Sequence, residues 1–123
     1  DVVLARRGEM GRCAIVTEKE DGYLCGTGSI FIRPSDKLRT TYLYKSLSSK
    51  SMTEVLENSA KGVTMKNLNS GIVDELYIPQ PPLEVQLNFE AIIGKTESLK
   101  LLCRKSLSEL ENLSRMLSQQ AFS

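Results

Sequence analysis

Histidine is absent from these 123 residues. Without it the chain cannot carry a Ser-His-Asp triad or a Cys₂His₂ zinc site, and it loses the side chain most often used as a general base near neutral pH. A self-contained enzyme is therefore not expected, and the adjacent acids Asp74 and Glu75 read as solvent-facing. Cysteine is scarce as well: Cys13, Cys25 and Cys103 are odd in number, form no C-x-x-C pair and lie in apolar stretches, so they read as reduced structural thiols. No apolar run approaches the ~18 residues of a membrane helix, and no basic-then-apolar leader opens the chain. The expectation is a cytoplasmic protein with no metal, no cofactor and no membrane contact.

What is present is ordinary in bulk and uneven in arrangement. A hydrophobic fraction of 41% and a charged fraction of 25% fit one modest soluble core. Residues 1–35 hold five basic and five acidic side chains, residues 36–70 hold six against three, and residues 71–123 hold five against seven. The positive middle suits a polyanion partner. The chain opens at Asp1 directly on strand-like residues, which reads as entry part-way through a domain and hence as a fragment.

"VVLA" (2–5) and "CAIVT" (13–17) are short β-branched runs separated by a loop punctuated by Gly8 and Gly11, and they read as neighbouring strands. "YLC" (23–25) and "SIFIRP" (29–34) read as a further strand pair around the glycine bend "GTG". Ser35 is placed to cap a helix carrying Leu38, Tyr42, Leu43 and Leu47. "SMTE" (51–54) has the Ser-x-x-Glu form of a capping box for a second helix, which Gly62 ends. "IVDELYIP" (72–79) reads as a final strand.

Pro79, Pro81 and Pro82 stop that strand, and Pro82 is tolerated in a first helical turn. From Leu83 to Ala121 there is no proline and one glycine, Gly94, which predicts a helix of about 38 residues and roughly 57 Å. Ile92, Leu99, Cys103, Leu110, Leu113 and Leu117 follow alternating steps of three and four once Thr96 and Ser106 fill the gaps. Such a stripe calls for a partner helix. The resulting expectation is an α/β (α+β) fold: a small mixed β-sheet domain with short helices over 1–80, then a long helix over 81–123 that pairs with a partner helix.

The order of "DVVLARRGEMGR", "LCGTGSIFIRP", "AKGVTMKNLN", "LYIPQPPLEVQ" and a closing "LSQQAFS" resembles the specificity subunit of type I restriction–modification enzymes over essentially the whole chain. The resemblance implies a non-catalytic reader of double-stranded DNA. In that family a target recognition domain reads one half of a bipartite site, and a long helix acts as spacer, packed antiparallel against the helix of a second unit in a coiled coil. The expected partners are DNA, the methyltransferase (M) and restriction (R) subunits, and a second recognition unit or a second copy through the helix. The upstream part of a recognition domain, the second domain and its helix are missing from the pattern. The competing reading is an α/β protein-interaction domain with a coiled-coil arm and no DNA role.

DNA binding needs cations and N–H donors facing phosphates, with fewer side chains at base edges. Arg6, Arg7 and Arg12 surround Gly8 and Gly11, which let backbone approach a phosphate, and arginine also addresses guanine in a bidentate manner. The alternative is a hairpin with solvated arginines. Lys61, Gly62, Thr64, Lys66 and Asn67 form a second candidate loop, which the resemblance puts towards the DNA. "GTGS" (26–29) lacks the spacing of a nucleotide loop and reads as a tight bend. Tyr42 and Tyr44 are candidates for stacking on a base, or for the core.

Overall fold

The computed structural model describes residues 1–60 and 67–122. They form two units, Asp1–Leu87 and a second from Asn88 onward.

The first unit is built on three antiparallel strands, β1 (Val2–Ala5), β2 (Cys13–Ile15) and β3 (Ser29–Ile32), in the order β2-β1-β3. The alternation of β1 decides its faces: Val2 and Leu4 are fully buried, whereas Val3 and Ala5 are only partly covered. Val3 stands opposite Ala14 and Phe31, so the outer face is apolar, and Phe31 is exposed there. Val2 and Leu4 point the other way, into two small cores. Leu4 meets Met10, Leu56 and Leu68; Val2 meets Leu43 and Leu47. Cys13 and Ile32 pack against both, and burial pushes the Cys13 thiol above its ordinary pKa. At the open end, the Arg33 guanidinium grips the Asp1 carboxylate through Nε and Nη2, both at 2.8 Å.

The helices that supply Leu43, Leu47 and Leu56 start at places other than those expected. Helix α1 spans Thr40–Leu47 behind Arg39, which makes no side-chain cap, and Ser35 instead accepts the Leu38 N–H in a preceding turn. The capping job is done from 47 residues away: the Arg39 N–H donates to Gln86 Oε1 at 2.7 Å. Helix α2 spans Lys50–Ser59, and its cap is Ser49, whose hydroxyl accepts from the Met52 N–H, rather than Ser51. This start puts Met52 and Leu56 on one face, towards β1. Gly62, the expected stop of this helix, lies outside the described residues.

Two expected strands are not strands. Tyr23 and Leu24 are exposed, the latter at 98%, in a loop that follows a 3-10 turn at Glu18–Glu20. A capping box at Thr17 forms that turn, and the Thr17 hydroxyl and then its N–H hold the Glu20 carboxyl below the usual range. Within 72–79, Ile72 and Val73 lie in a short helix, α3 (Ser70–Asp74), because the Asn69 side chain accepts the Ile72 N–H at 2.9 Å and caps it. After α3, Leu76 and Ile78 pack on the cores while Glu75 and Tyr77 face solvent. The two-residue alternation is real there, but no ladder partner exists among the described residues.

Helix α4 spans Leu83–Phe122, 40 residues without a break, so at ~1.5 Å per residue it is about 60 Å long. Gly94 lies inside it uninterrupted. Its first turn belongs to the first unit and is anchored by Gln86, which is fully buried: besides accepting from Arg39, its Nε2 donates to Lys37 O at 3.0 Å and to Pro81 O at 2.8 Å. The Tyr42 hydroxyl adds a bond to Pro79 O at 2.9 Å, and Tyr44 packs against the core of Val2, Leu43 and Leu47, so neither tyrosine is placed as a free stacking ring.

Gly11 carries a definite steric requirement. Its φ is +80°, and a Cβ there would stand 2.5 Å from Thr53 Oγ1, whose hydroxyl donates to Ser49 O. Gly11→Ala is therefore expected to lower unfolding stability by about 2 kcal/mol, read as a shift in the urea midpoint at unchanged slope. Gly8→Ala, with φ +79° and open space around its Cβ position, should cost about 1 kcal/mol.

Candidate nucleic-acid interface

The loop between β1 and β2 leaves the sheet at Ala5 and returns at Arg12, closed by the Ala5 N–H donating to Arg12 O at 2.9 Å. Within it, Met10 is buried in the core and Gly11 is covered by α2, so the loop is a fixed excursion rather than a loose one. Gly8, Arg7 and Arg12 are exposed. Among the described residues, neither the Arg7 nor the Arg12 guanidinium has an acceptor or an ion-pair partner, which leaves both charges available.

Arg6 is different. Its Nε donates to Leu68 O at 2.8 Å and its Nη1 donates to Thr27 O at 3.1 Å. Backbone bonds follow the same pattern: the Arg6 N–H donates to Gly28 O at 3.0 Å, and the Leu68 N–H donates to Arg6 O at 2.8 Å. Arg7 and Asn67 form an antiparallel bridge. Two segments about 60 residues apart, each singled out in the sequence, are thus brought together, and the bend at 26–28 joins them.

Asn67 Oδ1 is buried with no hydrogen-bond partner among the described residues. Lys61, Gly62, Thr64 and Lys66 lie outside the described residues. The sequence signalled the arginines and Asn67 through their residue types, but it carried no signal that Arg6 would be spent on two carbonyls. The "GTG" segment is the tight bend expected, with the Ser29 N–H donating to Gly26 O at 3.1 Å.

On α4, Ile92, Leu99, Cys103, Leu110, Leu113 and Leu117 are all exposed. Among the described residues, no group of acidic, histidine or cysteine side chains is placed to hold a metal ion, and no helix is long and apolar enough to cross a membrane.

No solved structure matches this chain. The family model of the type I restriction modification DNA specificity domain matches residues 1–112, from β1 through both candidate loops and well into α4, and the chain belongs to that family, whose role is DNA recognition.

Proposed function

We propose that the chain is the DNA-reading component of a type I restriction–modification assembly and is not itself catalytic. Residues 1–80 act as the reader of one half of a bipartite site, and residues 81–123 act as the spacer helix. Arg7 and Arg12 contact phosphates, with Gly8 allowing close backbone approach, and Lys61, Gly62, Thr64, Lys66 and Asn67 supply a second set of contacts. The apolar stripe of α4 pairs antiparallel with the helix of a second recognition unit or a second copy. Cutting and methylation, with their cofactors, belong to the restriction and methyltransferase subunits of a cytoplasmic complex. The observation that supports this reading is the Arg7–Asn67 bridge, which joins the arginine loop to the second candidate segment, together with the exposed Arg7 and Arg12 guanidinium groups, which have no partner among the described residues.

Fluorescence anisotropy with a random duplex tests it. Arg7→Ala with Arg12→Ala should weaken binding and flatten the dependence of log K on log salt by up to about 1.8, at ~0.9 for each lost phosphate contact. A slope identical to that of the unaltered chain would remove these arginines from the interface. Absence of any low-salt binding would favour the protein-interaction reading.

A further inference from the structure

We infer that Arg6 is the positioning residue that sets the DNA-facing loops, and that the bend at 26–28 is part of the same surface. The inference rests on the reading of Arg7, Arg12 and Asn67 as DNA contacts. Arginine carries five N–H donors in a rigid planar fork. Here Nε is committed to Leu68 O and Nη1 to Thr27 O, so one guanidinium bridges two chain segments through directed bonds. The Arg6 backbone bonds to Gly28 O and from Leu68 N–H hold the same two neighbours. Arg7 follows immediately, and its bridge to Asn67 depends on the alignment that Arg6 enforces.

With Nε and one Nη1 N–H held by carbonyls, Arg6 keeps only its outer Nη donors, in an orientation those two bonds fix, whereas among the described residues the Arg7 and Arg12 guanidinium groups have no such commitment. Arg6 therefore contributes its charge to the local potential and its geometry to the loops. Lysine in its place keeps the charge but has a single ammonium at the end of a flexible stem, with no donor where Nε stands. That difference separates a point charge from a clamp.

The test uses Arg6→Lys and Arg6→Ala in the full chain, with amide hydrogen exchange in the absence of DNA and duplex binding across a salt series. Circular dichroism first establishes that each variant is folded at the temperature used. Arg6→Lys is expected to speed exchange at the Leu68 amide by about tenfold or more, because that amide's acceptor is the carbonyl of residue 6. It should weaken duplex binding nearly as much as Arg6→Ala. In both variants the salt slope should fall by the ~0.9 of the Arg7 contact, even though Arg6→Lys keeps its charge, since Arg7 is displaced from its bridge to Asn67. An Arg6→Lys chain with the affinity and slope of the unaltered protein would overturn the inference, as would unchanged exchange at Leu68. An unaltered chain that binds no duplex would overturn the DNA reading itself, and the exchange rates would then judge the clamp on their own.

Discussion

Glutamate at both Leu110 and Leu113 is expected to abolish helix-mediated association, leaving only the lone chain in sedimentation. These two side chains are 64% and 52% exposed, three residues apart on one stripe of α4. In the proposed pair they face a second apolar stripe, where a carboxylate would lose its water without gaining a partner. Two such groups cost several kcal/mol per helix, and twice that where both helices are copies of this chain. The control lies on the same helix: Leu101 is 64% exposed, but nine residues from Leu110 at ~100° per residue puts it on the opposite side. Leu101→Glu should leave the sedimenting species unchanged. Identical species before and after the double substitution would mean that the stripe is not an association surface.

Gln86→Leu is expected to cost about 2–4 kcal/mol, a large part of the stability of a domain this small. Leucine fills a similar volume, so packing is nearly conserved and the loss comes from polar groups. The Arg39 N–H, Lys37 C=O and Pro81 C=O all lose their partner together, and the start of α1 loses its cap. Denaturant unfolding measures the loss, and faster exchange at the Arg39 amide locates it. Gln86→Glu separates bonding from volume. A carboxylate still accepts from Arg39 but cannot donate to either carbonyl, and it places a charge at a fully buried position. Its pKa in the folded state would be raised, so stability is fully restored only below the ordinary glutamate pKa and is lost as pH rises from there through the raised value. A Gln86→Leu chain as stable as the original would show that water satisfies these groups equally well.

The elements legible in the sequence are those whose cause is local. Val2 and Leu4 alternate with Val3 and Ala5 within four residues, and α4 needs only a long stretch free of proline and tolerant of Gly94. The misreadings share a different cause. Ser35 offered a local cap for α1, but the cap came from Gln86, which no local window contains. Ile72 and Val73 have the β-branched character of strand residues, yet one bond from Asn69 turned the segment into a helix. Leu24 reads as part of a strand leading into the glycine bend, yet it is almost wholly exposed. The candidate interface divides in the same way: arginine and glycine content marked the 6–12 loop, whereas the division of labour between Arg6 and Arg7 depends on carbonyls that only the fold supplies.

The cap that Gln86 gives to α1 also bears on the order in which the domain is completed. Arg39 and Gln86 are separated by 47 positions, and Arg6 and Leu68 by 62. During synthesis the early strands emerge long before either partner exists, so their loops stay open and closure is slow relative to a helical bundle of this size. The final stitch is made by the first turn of α4. A nascent chain halted before that turn has left the ribosome would hold α1 with a frayed start.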